Sequence, residues 1–168
     1  MNTEPPLYGQ ESRNTWALAC LRMVLAAFGS DVDESTLVDQ AHLDPQGTRI
    51  DELARLARQF GLVACVQEVP IEQLRESIAE GKLAIAYIDR AVFDHTPRQR
   101  VAHPLRNARI HTVIPTRITA GAVTYHDPMP PARIRRSLRL FRSAYERLGS
   151  HCVVCSRPEA RYPTRSSE

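Results

Sequence analysis

The pattern of hydrophobic and polar positions divides the chain into a helical first third and a strand-rich remainder. Residues 16–28 are apolar at every position except Arg22, which predicts a helix buried on nearly all sides. Asn14 or Thr15 can cap the start of this helix, and Gly29 fits its C-terminal end. The first predicted element is therefore a buried helix with a defined beginning and end.

The same patterns predict the later elements. Apolar residues at helical spacing predict three further helices, over 33–43, 49–60 and 71–80. Apolar runs bounded by Gly and Pro predict strands over 62–66, 83–88, 109–118, 122–126 and 152–155. A last helix is predicted after a Pro-rich turn at 127–131, on a face marked by Ile134, Leu138, Phe141, Tyr145 and Leu148. The element order predicts an α+β domain, with an N-terminal helical half packed on an antiparallel sheet.

Length and composition agree with one globular domain. The 168 residues, 43% apolar and 24% charged, predict a single domain over 1–156 and a disordered tail over 157–168. No apolar run reaches the ~20 residues that a membrane span requires, and the first residues lack a signal-peptide pattern. We therefore expect a cytoplasmic protein without a membrane span; the sequence leaves its oligomeric state open.

The four cysteines do not form a recognisable disulfide or metal framework. Most of them lie in apolar runs, where a free thiol behaves as a small hydrophobic group. The segment HCVVC, at 151–155, lacks the second well-spaced ligand pair of a zinc site. We expect no metal and no cofactor.

Arginine is concentrated late in the chain, although the net charge is only +3. Arg98, Arg100 and Arg106 lie in a polar segment at 94–107 that is rich in Pro and His, and we expect them to contact substrate. More arginines follow the Pro-rich turn and could bind an acidic peptide or nucleic acid. The favoured alternative is that these arginines form solvated faces, because few aromatic residues are interleaved for base stacking, and nucleic acid is the less favoured partner.

The predicted strand pair at 109–118 and 122–126 brings two polar residues together. If the turn centres near Ala120, His111 lies opposite roughly residues 127–129, so that Asp127 is its cross-strand or diagonal neighbour. A carboxylate beside an imidazole orients the ring and stabilises its cation, as a base-assisted nucleophile requires. The alternative is a core histidine and a turn aspartate before Pro128.

The order and spacing of several motifs resemble one family across about residues 7–156. The residues that share the register of that family's active-site helix are Gln10, Ala19, Cys20, Leu21, Met23, Leu25 and Gly29. Its catalytic histidine and aspartate correspond to His111 in HTVIP and Asp127 in VTYHDP. The chain thus resembles the papain-like bacteriocin-processing cysteine peptidases, which cut double-glycine leader peptides. The resemblance implies a papain-like fold, Gln10 as an oxyanion donor, and a peptide or protein partner.

Trp16 departs from the pattern of that family. It stands where the family has its nucleophilic cysteine, and Ala17 replaces the glycine that follows. The start of a buried helix favours a thiolate, and an upstream Gln can donate to an oxyanion. The indole of Trp16 has no nucleophilic heteroatom at neutral pH.

Two residues come into question as substitute nucleophiles. Cys20 lies one turn below Trp16 on the same helical face, about 6 Å deeper along the axis. Its alternative role is that of a buried packing residue. Thr15 takes the nucleophile position if the register moves by one residue, and helix capping is its alternative role. A general base formed by His111 and Asp127 could also act on water without a protein nucleophile.

The sequence therefore carries two functional hypotheses. The first is a degenerate peptidase domain, a pseudopeptidase, that binds a peptide or protein partner in the former substrate groove. The second is an active hydrolase or acyl transferase with altered chemistry, built on His111 and Asp127. Trp16 motivates the first hypothesis, and the retained register of Gln10, His111 and Asp127 motivates the second.

Overall fold

The computed structural model describes residues 4–94 and 108–159. Its helices are α1 (Trp16–Ala27), α2 (Glu34–Gln40), α3 (Ile50–Gln59), α4 (Ile71–Ala79), α5 (Ala91–Asp94) and α6 (Leu138–Glu146). Its strands are β1 (Val63–Glu68), β2 (Leu83–Asp89), β3 (Ile110–Ile118), β4 (Ala122–Pro128), β5 (Pro131–Ser137) and β6 (His151–Ser156). None of the helices in the described ranges is long and apolar enough to cross a bilayer.

The strands form one antiparallel sheet in the order β1-β6-β2-β3-β4-β5. Helices α1, α2 and α3 pack with it in one apolar core, and α4 and α6 belong to a second. Along β2, Leu83 and Ile85 contribute to the first core, whereas Ala84 and Ala86 contribute to the second. Because successive strand residues point to opposite faces, a strand buried on both sides reads as a continuous apolar run.

Helix α1 is the most deeply buried helix of the first core. Eight of its twelve residues are buried, as the apolar run predicts. The predicted side-chain caps are wrong, because neither candidate bonds to the first amides of the helix. Thr15 donates its hydroxyl to the carbonyl of Ser12 at 2.7 Å, and Asn14 donates its amide to the carbonyl of Pro45 at 2.8 Å. Both side chains instead hold the loops that flank the start of α1.

The helix predicted from Ile134 onward is wrong in its first part. Ile134 lies in β5, and α6 begins only at Leu138. Residues of β5 alternate between exposed and half-buried, which is the period of a strand. Ser137 then ends the strand and caps α6, because its hydroxyl accepts a hydrogen bond from the amide of Leu140 at 3.3 Å.

Two other element boundaries differ between the prediction and the structure. The second helix ends at Gln40 rather than at residue 43, because Ala41 has extended backbone angles. Strand β4 continues through Asp127 to Pro128, so that the predicted break falls after Pro128. This longer strand places Asp127 inside the sheet instead of in a turn.

The fully buried carboxylate of Asp89, at the end of β2, holds the chain at the start of the neighbouring strand β3. Asp89 accepts hydrogen bonds through Oδ1 from the amides of Ala91 at 3.0 Å and Arg109 at 2.9 Å. Its Oδ2 lies 2.9 Å from Nε of Arg147, just after α6. The carboxylate therefore joins the end of β2, the residue before β3 and the end of α6.

Replacing this carboxylate is expected to destabilise the domain strongly. Asp89→Ala leaves Arg147 and two backbone amides without their acceptor, which should lower the free energy of unfolding by about 3 kcal/mol. Urea denaturation followed by circular dichroism measures the change. Glu80→Ala is the matched control, because Glu80 pairs with Lys82 in an exposed ion pair and should matter little. Equal effects of the two substitutions would contradict the role given to Asp89.

Candidate active site

His111 and Asp127 form a buried hydrogen-bonded pair across β3 and β4. Ile114 lies opposite His126 in this pairing, and the same register makes His111 a diagonal neighbour of Asp127. Nε2 of His111 lies 2.8 Å from Oδ1 of Asp127, and each side chain is only 5% exposed. The same Oδ1 accepts the amide of Met129 at 2.8 Å, which holds the carboxylate in place. The predicted diagonal contact is present, with Nδ1 as the ring nitrogen that Asp127 does not engage.

The indole of Trp16 packs beside this pair. Its ring centroid lies 6.2 Å from that of His111, with an interplanar angle of 50°. On another side it contacts Gly47, where an added Cβ would lie only 3.1 Å from Cζ2 of the indole. Gly47 also has a φ of +110°, which disfavours any side chain at this position. The structure thus fits a glycine closely against the aromatic ring beside His111.

Gln10 lies close to the end of β4, but its side chain is engaged locally. The amide of Gln10 donates to the carbonyl of Pro128 at 3.1 Å, directly after Asp127. Its side-chain Nε2 donates to the carbonyl of Ser12 at 3.1 Å. One of the two hydrogens expected to serve an oxyanion is therefore used within the loop itself.

Glu34 supports the Gln10 loop, and sequence reasoning missed it. Its side chain is 1% exposed in the first turn of α2, and Oε1 accepts the amide of Glu11 at 2.9 Å. A glutamate at a helix start is already explained by the helix dipole. No local signal could therefore have shown that Glu34 reaches a loop more than twenty residues away.

The surroundings of Thr15 and Cys20 do not favour nucleophilic attack. Thr15 is 2% exposed, and its hydroxyl is used by Ser12. Cys20 is fully buried, with Sγ 3.5 Å from the carbonyl of Thr112, and burial raises the pKa of its thiol well above the ordinary value. A buried thiol that stays protonated is a packing group. Arg98, Arg100 and Arg106 lie outside the described residues.

A cleft of about 360 Å³ is lined in part by Gly47, the residue that lies against Trp16. Its apolar lining is formed by Ile50, Tyr87, Ile110 and Leu148, and Gly47 and Thr48 connect it to Trp16. The hydroxyl of Thr48 is buried without a hydrogen-bond partner among the described residues, although Tyr87 donates to the Thr48 carbonyl at 3.2 Å. Asp44, Arg49, Asp51 and His151 also line the cleft, which therefore presents apolar and ionisable side chains together. Sequence reasoning missed it because its lining comes from four separate segments, at residues 44–51, 87, 110 and 148–151.

The fold and the histidine–aspartate pair beside a helix start define a papain-like, cysteine-peptidase-like domain. The sequence profile of the peptidase C39 family matches residues 5–149, and the chain belongs to this family. This membership confirms the resemblance to bacteriocin-processing peptidases. A search among curated proteins finds no match.

Solved structures confirm the papain-like α+β fold at low sequence identity. A double-glycine motif protease from an AMS/PCAT transporter, solved with its leader peptide, is 16% identical, with 94% of each chain covered and a TM-score of 0.68. A Bacillus anthracis protein described as C39-like peptidase is 15% identical, with 93% of this chain and 96% of that chain covered and a TM-score of 0.73. The peptidase domain of Streptococcus ComA is 16% identical, with 90% and 98% covered and a TM-score of 0.69.

Thiol labelling tests the packing role of Cys20. Of the four cysteines only Cys65 is exposed, so native protein should react rapidly with DTNB at a single thiol. Cys65→Ser should abolish the fast phase, whereas Cys20→Ser should leave it unchanged. Burial raises the pKa of Cys152 to about 11 and that of Cys155 to about 12, which keeps both slow. A fast phase that disappears in Cys20→Ser would restore Cys20 as a candidate nucleophile.

Proposed function

We propose that this chain is a degenerate C39 peptidase domain that binds a peptide or protein segment beside Trp16 and does not cut it. One observation carries the proposal. The indole of Trp16, which by the sequence register takes the place of the attacking cysteine, packs against both His111 and Gly47. Because indole cannot attack a carbonyl, the His111–Asp127 pair has no thiol to activate.

The cleft beside Trp16 supports peptide binding as the retained activity. Its apolar lining suits the side chains of an extended segment, and the polar lining residues Asp44, Arg49 and Asp51 can hydrogen-bond to peptide groups. The related double-glycine motif protease has been solved with a leader peptide. A peptide with apolar residues before a Gly-Gly pair is therefore the ligand class that we propose.

A hydrolase or acyl transferase with altered chemistry is the second candidate function. The observation in its favour is the intact pair, in which Nε2 of His111 lies 2.8 Å from Asp127. In this case His111 would act as a general base on water or on a bound acceptor. His111→Ala separates the candidates, because it should abolish turnover under the second function and leave peptide binding nearly intact under the first.

Substitution in the cleft should weaken peptide binding. Ile110 lies next to His111 and is 53% exposed, so that Ile110→Ser removes apolar contact area without opening the core. We expect the dissociation constant of a Gly-Gly leader-like peptide, measured by calorimetry, to rise about tenfold. Val63→Ser is the matched control, because Val63 is an equally apolar strand residue, 48% exposed on β1 and outside the cleft. Equal losses in both variants would contradict binding in this cleft.

Restoring the thiol tests the register at position 16. Trp16→Cys should give a thiol that reacts with iodoacetamide below pH 7, faster than Cys65, because the helix start and His111 favour its thiolate. The rate should fall when His111→Ala is added. Trp16→Ser serves as the control for opening the groove without adding a thiol. If Trp16→Cys labels no faster than the wild-type protein, position 16 is not the nucleophile position.

A further inference from the structure

A basic surface lies on β3, β4 and β5, at one end of the sheet. In the strand register Arg117 lies opposite Thr124, and Thr124 lies opposite Arg135, so the two arginines share one row across three strands. Arg133 stands two residues before Arg135 on the same side of β5. All three arginines are exposed. We call Arg117, Arg133 and Arg135 the arginine face.

A bulge in β3 shapes a pocket on this surface. The pairing with β4 shifts between Pro115 and Arg117, and both Thr116 and Arg117 line a cavity of about 200 Å³. Adjacent residues of a regular strand point to opposite faces, so the bulge explains why these two share one pocket. Lys82 and Arg133 complete its basic lining.

One carboxylate of the chain already occupies this surface. Glu4 lies in the same pocket, and its Oε1 is 3.1 Å from Nη1 of Arg133. Arg117 and Arg135 have no acidic partner within the described part of the chain, and Lys82 pairs with Glu80 outside the pocket lining. The arginine face thus accepts a carboxylate and retains two cations that no carboxylate there neutralises.

The backbone next to these arginines is open for pairing. β5 is the last strand of the sheet, and in the described residues its ladder runs to β4 alone. An open edge can accept another strand, and positive side chains along it disfavour pairing with a second copy. The same charges favour an acidic strand. Side chains two residues apart in an extended segment are about 7 Å apart, which matches Arg133 and Arg135.

We propose that the arginine face binds an acidic protein segment, which adds to β5 as an extended strand with carboxylates at alternate positions. Backbone hydrogen bonds along β5 provide affinity, and the carboxylates contact Arg133 and Arg135 on the adjoining strand. Arg117, two strands further from the added segment, contributes only to the positive potential of the surface. This surface is distinct from the cleft beside Trp16, since none of its residues lines that cleft. Binding at this surface does not depend on the function proposed for the cleft, and separate experiments test the two.

Fluorescence anisotropy with a labelled peptide of alternating Glu and Val tests the proposal. Wild-type protein should bind it saturably, and the Gln-and-Val counterpart should bind far more weakly. The double variant Arg133→Gln/Arg135→Gln should weaken binding of the Glu peptide by about tenfold or more, because two charge-assisted contacts are lost. Arg75→Gln, an exposed arginine on α4, is the matched control and should bind as wild type does. Equal binding by the double variant would overturn the proposal.

Backbone methylation of the peptide separates strand addition from simple charge attraction. In a paired strand only every second amide faces the neighbouring strand, so in this peptide either all the Glu amides or all the Val amides point towards β5. Methylating the set that points towards β5 should abolish binding, and methylating the other set should leave it intact. Retained binding of both methylated peptides would overturn the strand geometry. A single-stranded oligonucleotide that binds as tightly, with the same dependence on Arg133 and Arg135, would also overturn it, because the surface would then accept any polyanion.

Discussion

The burial of α1 is the constraint on which the site depends. Eight of its twelve residues are buried in a core shared with α2, α3 and the sheet, so the helix cannot slide or rotate without opening that core. Residue 16 is therefore held beside His111 whatever its side chain is. The buried helix thus sets the position of Trp16 next to His111 independently of the chemistry of that side chain.

The histidine–aspartate pair is likewise held by structure that does not involve residue 16. The strand register sets the diagonal contact, the amide of Met129 holds the carboxylate, and Asp89 fixes the start of β3. These contacts preserve the geometry of His111 and Asp127 without a thiol. The short distance between His111 and Asp127 therefore does not show that the domain is catalytically active. The contact of His111 with Trp16 says more about this question.

Local sequence patterns were sufficient for those elements and contacts that depend on residues close together in the chain. The period of apolar residues was sufficient for α1, α3 and α4, and the turn near Ala120 was sufficient for the diagonal pair. Ile134 was misassigned because one apolar residue fits both a strand and a helix face, and only the pairing with β4 decides between them. Glu34, Thr48 and Ile110 were missed as parts of the site because their contacts join segments far apart in the chain.

Trp16 is the only tryptophan of the chain, so its intrinsic fluorescence reports directly on the candidate groove. The most direct test is a titration with a leader-like Gly-Gly peptide, in which the emission is recorded and the same samples are then analysed by mass spectrometry. A saturable change in emission, with the peptide intact after prolonged incubation, is the result expected of a binding domain. Cleavage of the peptide between or after its glycines by wild-type protein, lost in His111→Ala, would contradict this account.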